Sequence, residues 1–354
     1  MQFILIGFSI FSILTLSYNK EVPTGGSASW TVTANDGYTT DGATFSPSGC
    51  GTISGSTVTI SNVTSAKTCT ITLQQLDPLK SFTYTGDYAI KKASDYNLDT
   101  SNEDYTVLAL LDDGTLTFNT SFNADIFMVG GGGGGSGYLT YAFGGGGGGG
   151  GYTNTIQETL PNSEIVVTIG KGGAQNTDGE ATSIIISGST YSVQGGNRGR
   201  FESERIYGGD GGSGGGAGGN SYTVTGMNGG DGGSDGRNGN TLTNIFGVGT
   251  GQGTTTRAFG ETNATLFAGG GGGGSLHTTG NIGGSGGDGG GGNGRSYNAA
   301  AEDGEENTGG GGGGGGYTTG NATDYNAKGA SGGSGVVLIR VHKWPCQVNY
   351  LNEI

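Results

Sequence analysis

The chain has 354 residues, a net charge of −14 at pH 7 and only 15 Lys and Arg residues. Nucleic-acid binding requires clustered cations that pair with phosphates, so this charge balance excludes nucleic acid as a partner. Charged residues make up only 12% of the chain, which also separates it from the highly charged class of disordered proteins.

The chain begins with an apolar block at residues 3–16, which is too short to span a bilayer and is typical of the central region of a signal peptide. We predict a signal peptide at residues 1–17, with cleavage near Ser17. Because no Lys or Arg precedes the block, a short N-terminal anchor or a buried strand is the alternative. The sequence therefore predicts a secreted, extracellular protein without an integral membrane span after signal removal.

Residues 18–80 are predicted to form a small, Ig-like β module, because short runs alternate Val or Ile with Thr or Ser. Trp30 lies in the first of these runs and is expected in the core. Cys50 and Cys69 flank an alternating stretch, and export would allow a disulfide between them, with two buried free thiols as the alternative. Cys346 is left over and is a candidate intermolecular thiol.

Residues 81–104 have a mixed composition and are predicted to be a linker or an inter-domain strand. A strand is expected at 105–111, and Asp112-Asp113-Gly114 predicts a hairpin turn to a strand at 115–119. Further strands are predicted before, inside and after the glycine-rich stretch, at 124–129, 164–170, 182–187, 190–193 and 336–341. The predicted fold class is all-β, because no window shows helical periodicity.

The glycine-rich stretch spans residues 130–335 and holds 74 of the 84 glycines, since 10 precede it. Its runs have recurring lengths, with six glycines at 130–135 and 269–274 and eight at 144–151 and 309–316. A flexible linker, the alternative, would not need such regularity. We therefore predict an ordered bundle of polyglycine II helices, which have three residues per turn and approach closely only where no Cβ intervenes.

Three stretches, at 125–130, 165–173 and 332–340, join apolar strands to glycine. Through this combination, residues 105–341 resemble the glycine-rich domain found in secreted proteins, phage tail adhesins and bacterial surface proteins. A looser similarity is to the glycine-rich ectodomain of anaplastic lymphoma kinase-type receptors. The resemblance implies a β-sandwich or jelly-roll-like frame with an inserted polyglycine II bundle, and it implies no enzyme chemistry. Residues 342–354 are left as a C-terminal tail.

No catalytic, cofactor-binding or metal-binding residue is predicted. The Gly-x-Ser-x-Gly matches at 211–215 and 283–287 are generic to the composition, and a nucleophile elbow needs an α/β sheet. The two histidines, His277 and His342, lack metal-ligand spacing. One calcium-type repeat begins at 283–288, but the next nine residues break its pattern. We expect a protein that is not an enzyme and needs no cofactor.

The segments between glycine runs are expected to be tip loops on a rigid scaffold. Tyr138, Tyr141 and Phe143 form one candidate partner-binding loop, and the alternative is that they cover the side of the bundle. Candidate glycosylation sites come from four sequons, at Asn62, Asn119, Asn263 and Asn321.

The predicted function is that of a secreted, non-enzymatic structural or adhesive protein of the cell surface or extracellular matrix. Its expected partner is a surface protein or glycan, or another copy of the chain through self-assembly. The alternative is a receptor-binding adhesin that recognises a surface ligand through the loops between glycine runs. An ice-binding protein is the less favoured third class, because the runs are irregularly separated.

Overall fold

The computed structural model describes residues 2–8, 17–32, 38–65, 67–75, 78–101, 105–137, 145–202, 205–219, 228–240, 247–276, 280–296, 299–316 and 328–341. The chain divides into two compact units, one of Met1–Ser81 with Val341–Ile354 and one of Phe82–Arg340. The fold is all-β, as the sequence predicts, and the helical elements among these residues are short 3₁₀ turns at Pro78–Lys80, Ala93–Tyr96 and Ala258–Gly260. Within the same ranges, no helix is long and apolar enough to cross a membrane.

The first unit is built from two small sheets. Its strands are β1 (Gln2–Phe8), β2 (Ser17–Val22), β3 (Gly26–Thr31), β4 (Tyr38–Ser46), β5 (Thr52–Ser54), β6 (Thr57–Val63) and β7 (Lys67–Gln75). One sheet has the order β2-β1-β7-β4 and the other β3-β6-β5. All pairs are antiparallel except β1 with β7, which is parallel.

The core of the first unit joins side chains from both sheets. Trp30 of β3 is buried against Val58 and Ile60 of β6 and Ile71 of β7. The period-two alternation of β6 explains this, because Val58 and Ile60 share the face opposite to the threonines. Trp30 is therefore a core residue, as predicted. The predicted disulfide is also present, with 5.9 Å between the Cα atoms of Cys50 and Cys69.

Strand β1 lies within the stretch predicted to be a signal peptide. It occupies an internal position between β2 and β7. Cleavage near Ser17 would remove this strand, so the strand and the cleaved leader are alternatives for the same residues. A short apolar segment can satisfy its backbone by sheet pairing, which is why the sequence pattern suits both. The signal peptide stays a prediction.

The second unit contains two five-stranded sheets and a short hairpin. Its strands are β8 (Phe82–Tyr84), β9 (Tyr88–Lys92), β10 (Thr106–Leu110), β11 (Gly114–Phe118), β12 (Phe122–Val129), β13 (Thr153–Leu160), β14 (Ile165–Thr168), β15 (Thr182–Ile186), β16 (Ser189–Val193), β17 (Arg200–Glu202), β18 (Arg205–Tyr207) and β19 (Val336–Val341). The large sheets have the orders β13-β12-β19-β10-β9 and β16-β15-β14-β11-β8, and β17 pairs with β18.

The two large sheets face each other across an apolar layer, which makes the frame sandwich-like. Phe118 of β11 meets Phe122 of β12 with ring centroids 4.8 Å apart, and Phe82 of β8 meets Tyr88 of β9 at 5.1 Å. Strand β12 is buried on both faces. Its residues Phe127 and Val129 pack on the outer side, against Phe267 and neighbouring residues.

The predicted hairpin at 105–119 is wrong, because β10 and β11 belong to different sheets. Residues 107–110 of β10 are all buried, so this strand needs cover on both faces and neighbours at both edges. The aspartates instead cross between the sheets, where Asp113 Oδ1 accepts a hydrogen bond from the Ile169 amide at 2.7 Å. The strands predicted at 182–187 and 190–193 are confirmed and pair as a hairpin, with Ser187 and Gly188 at positive φ in its turn.

Residues 81–104, predicted to be a linker or an inter-domain strand, form regular structure in the part that the structure describes. They contain β8 and β9, which pair with β11 and β10 respectively, and the 3₁₀ turn Ala93–Tyr96. The polar composition of this stretch reflects its position, because β8 and β9 are the edge strands of the two large sheets.

Candidate functional site

The extended glycine runs and their flanks, here called glycine segments, bond one another through the backbone with a period of three residues. In the segment that starts after β12, the amides of 130, 133 and 136 donate to a first neighbour, at the carbonyls of 152, 149 and 146. The amides of 131 and 134 donate to a second neighbour, at 180 and 177. Those of 132 and 135 donate to a third, at 333 and 330. Successive amides therefore donate to three neighbouring segments in turn, and every third amide donates to the same segment.

The segment at 269–275 follows the same rule. Its amides at 269, 272 and 275 donate to the carbonyls of 289, 292 and 295, those at 270 and 273 to 233 and 230, and those at 271 and 274 to 148 and 145. The N···O distances of these bonds lie between 2.8 and 3.0 Å, the usual range for strong amide bonds. Each interior segment is thus held on several sides.

Close approach explains why these positions are glycine. A Cβ placed on Gly148 would overlap the carbonyl oxygen of Gly133, and one on Gly132 would overlap that of Gly310. The obstructing atoms are backbone atoms of neighbouring segments, which cannot move aside as a flexible side chain can. The spacing between segments therefore requires hydrogen at Cα.

At the exposed margin of the bundle, side chains rather than backbone carbonyls accept hydrogen bonds from some of the amides. We call the following set the cap ladder: Asn228 Oδ1, Asp231 Oδ1 and Ser234 Oγ accept hydrogen bonds from the amides of Ile282, Ser285 and Asp288 at 2.9, 2.8 and 2.7 Å. Both sides advance by three residues, so the side chains satisfy the donors that face outward. Similar acceptors elsewhere are Asp210, Asn238, Asn293 and Asp303.

This capping role of the non-glycine residues was not predicted from the sequence, where the 283–288 stretch was interpreted only as a calcium-type repeat. The signal that identifies the caps is the recurrence of Asn, Asp or Ser every third residue between glycine pairs, as at 228, 231 and 234. Among the residues that the structure describes, no group of three or more His, Cys, Asp or Glu residues could hold a metal ion.

Several segments end together in what we call the tip layer, which consists of Ser136, Gly145, Gly219, Gly274 and Gly315. Here Gly219 donates to Gly274, Gly274 to Gly145, Gly145 to Gly315 and Gly315 to Ser136. The connecting sequences 138–144, 220–227, 277–279 and 317–327 each begin or end within three residues of this layer. One end of the bundle therefore gathers connections that are far apart in the sequence.

The predicted site residues divide into two groups. Tyr138, Tyr141, Phe143, Asn321 and Cys346 lie outside the described residues. The other candidate glycosylation sites, Asn62, Asn119 and Asn263, have exposed side chains. The predicted loop from Tyr138 to Phe143 is flanked by Ser136 and Gly145 of the tip layer.

A polar cluster around Arg340 attaches the segment at 256–268 to the frame. Arg340 donates to the Asp125 carboxylate, to the Tyr105 hydroxyl at 2.7 Å and to Glu261, and its guanidinium lies 4.3 Å from the centroid of the Phe259 ring. Burial alone would lower the pKa of Arg340, but the hydrogen bonds and negative charge around it raise that pKa above its usual value. Arg340 is therefore a permanent cation at this position.

The comparisons with known proteins identify the second unit. No curated protein matches the chain. A family model described as a glycine-rich domain matches residues 111–342. This range includes the glycine segments, the cap ladder, the tip layer and most of the β frame. The chain therefore belongs to the glycine-rich domain family.

Proposed function

We propose that the protein is a secreted, non-enzymatic adhesive protein of the cell surface or extracellular matrix. In this proposal the glycine segments are polyglycine II helices that form a rigid scaffold. The period-three exchange of hydrogen-bond partners supports this helix type, because a polyglycine II helix has three residues per turn. The helices would hold the tip layer at a fixed distance from the β frame.

Rigidity is the property that makes such a scaffold useful. Ordering a glycine costs more backbone entropy than ordering any other residue. The segments offset this cost by bonding several neighbours, as the run at 130–135 does with three different segments. A scaffold of this kind presents its connections without having to order them again when a partner binds, which improves affinity.

The observation that carries the proposal is the tip layer. Four connections begin or end within three residues of it, and the one at 138–144 contains Tyr138, Tyr141 and Phe143. Aromatic residues are typical of those that dominate binding energy at interfaces. The expected partner is a surface protein or a glycan, recognised by this receptor-binding end.

The cap ladder favours adhesion over assembly through glycine. A second copy that added its own glycine segment to the margin would need free amide donors. The donors of Ile282, Ser285 and Asp288 are instead occupied by side chains of the same chain. Charged and polar groups that cover an edge are a common protection against uncontrolled association.

Adhesion is tested with beads that carry the oxidised full-length protein, mixed with cells of the source organism. The variant replaces Tyr138, Tyr141 and Phe143 by Ser. We expect the variant to lose at least about tenfold in bead retention, since a hot-spot residue contributes about 2 kcal/mol or more. Hydrogen exchange of 145–151 in the same variant serves as the control for an intact bundle.

Two outcomes would contradict the proposal. Equal retention of wild-type and variant beads would show that the tip does not carry adhesion. Filaments or multimers of the wild-type protein, especially ones that dissolve on reduction or in Cys346→Ser, would show that assembly is the function. Sedimentation of the soluble protein distinguishes these cases, because an adhesive monomer gives a single species.

A further inference from the structure

A cleft of about 560 Å³ opens beside the β frame at the end of the glycine segments opposite the tip layer. Two of its lining residues, Phe267 and Thr308, lie two residues and one residue before the glycine runs that lead to Gly274 and Gly315 of the tip layer. A volume of this size lies in the range of small-molecule sites. The cleft is thus separate from the end used in the adhesion proposal.

Polar side chains with unused hydrogen-bonding capacity line this cleft. The Glu305 carboxylate makes no hydrogen bond to the residues that the structure describes. Asn97 donates from Nδ2 to Thr265 Oγ1 at 3.2 Å, which leaves its Oδ1 as an acceptor. Asn307 accepts from Ser334 through Oδ1 at 3.3 Å, which leaves its Nδ2 as a donor. These groups form a mixed set of donors and acceptors.

An aromatic ring lies next to these polar groups. The ring of Tyr96 packs on Phe267 with centroids 6.2 Å apart, so the ring is supported from behind. Burial, together with the nearby Asp95 carboxylate, raises the pKa of Tyr96 to about 12. Its hydroxyl therefore stays protonated at neutral pH, and within the described residues it makes no hydrogen bond.

We propose that this cleft is a binding site for a neutral oligosaccharide. Vicinal sugar hydroxyls both donate and accept, which suits a carboxylate beside carboxamides. The apolar face of a sugar ring suits contact with an aromatic side chain that carries a polar group at its tip. Asp95 and Glu305 both line the cleft together with a cation, Arg257, which is paired with Asp235 at 3.5 Å. The two carboxylates therefore disfavour anionic ligands.

The test uses full-length oxidised protein from a bacterial host, so that Asn263, which also lines the cleft, carries no glycan. The probes are triacetylchitotriose, mannotriose, maltotriose and cellotriose, titrated in a calorimeter. We expect at least one of them to bind with a Kd of about 1 mM or tighter. Glu305→Gln and Tyr96→Phe should each weaken that binding by about tenfold, because the first replaces a charged acceptor with a neutral one and the second removes the hydroxyl.

The matched control is Glu306→Gln, an adjacent and exposed carboxylate that does not line the cleft. This variant should bind like the wild-type protein, and all variants should show the same melting temperature. Failure of all four sugars to bind would overturn the proposal, as would equal losses in Glu305→Gln and Glu306→Gln. Sugar binding that survives the triple Ser variant of Tyr138, Tyr141 and Phe143 would separate this site from the tip.

Discussion

Arg340 and Asp125 lie 215 positions apart in the sequence, yet Arg340 Nε donates to Asp125 Oδ2 at 2.8 Å. Asp125 is almost fully buried, so the contact replaces hydration with a fixed partner. Asp125 belongs to β12, which leads into the first glycine run, and Arg340 belongs to β19, which follows the last glycine segment. The pair therefore joins the entry and the exit of the glycine-rich region.

Arg340→Lys should destabilise the second unit by about 2 kcal/mol, because an ammonium cannot reproduce the planar fork that bonds Asp125 and Tyr105 together. Urea unfolding followed by hydrogen exchange of peptides from 82–340 measures this change. Arg237→Lys, at an exposed position, is the control and should shift stability by less than about 0.5 kcal/mol. An equal loss of stability in the two variants would show that the contact of Arg340 with Asp125 does not stabilise the second unit more than an exposed arginine does.

Gly148→Ala should destabilise the bundle by about 3 kcal/mol or prevent its folding, because the added methyl group overlaps the Gly133 carbonyl oxygen. Hydrogen exchange across 145–151 is the measurement, and faster exchange is expected throughout the segment. Gly188→Asn is the control, since Gly188 has a φ of 83° and open space around its Cα. Unchanged protection in Gly148→Ala would mean that the segments are farther apart than described.

Asp231→Ala should cost about 1 kcal/mol, because the Ser285 amide loses its acceptor in the cap ladder. Asp231→Asn keeps an oxygen at that position and should recover most of the loss. Asp288→Ala removes a nearby exposed carboxylate that accepts no hydrogen bond among the described residues, so it controls for charge alone. Chemical denaturation measures the free energy of unfolding of the three variants. An equal loss of stability in Asp288→Ala would contradict a capping role for Asp231.

Removal of the disulfide should affect the two units differently. The double substitution Cys50→Ala and Cys69→Ala opens a loop with a sequence separation of 19 and should lower the stability of the first unit by about 3 kcal/mol. Tryptophan fluorescence follows this unit, because Trp30 and Trp344 both belong to it. Hydrogen exchange of 145–151 should stay unchanged. A parallel loss in both units would contradict their independence.

Acid should weaken the contact between Asp235 and the segment at 255–257. Partial burial of Asp235 would raise its pKa, but hydrogen bonds from Thr255 and Thr256 and the charge of Arg257 lower that pKa below its usual value. Because the folded pKa lies below the unfolded one, this group stabilises the fold above about pH 4, and the contribution disappears as pH falls through the folded pKa. The urea midpoints of wild type and Asp235→Asn should therefore differ at pH 6, and the difference should shrink as the pH falls below about 4. A difference that grows in acid would contradict the assignment.

The local elements of the frame could be predicted from the sequence because they depend on nearby residues. The alternation at 182–193 and its Ser187-Gly188 turn specify a hairpin within a few positions. The pairing of β10 could not be read in the same way, since its neighbours β9 and β19 come from opposite ends of the unit. The contact of Arg340 with Asp125 depends on the position of β12 beside β19, which are equally distant in the sequence, so it could not be predicted for the same reason.

The glycine runs show a different limit. Their recurring lengths indicate order, but a run of identical residues carries no information about which neighbour each amide faces. That information lies in the residues that interrupt the glycines, such as Asn228, Asp231 and Ser234. These residues mark amides that donate to a side chain instead of a backbone carbonyl. The sequence therefore carries a signal for the margin of the bundle but not for its interior.

The three-residue exchange of partners has a consequence for insertions and deletions. Loss of one glycine from 145–151 would shift every later residue of that segment by one position in the three-residue exchange and direct its amides toward the wrong neighbours. Loss of three glycines would leave each remaining amide facing its original neighbour. Insertions and deletions that keep the hydrogen bonds of the bundle should therefore change the length of these runs in steps of three residues.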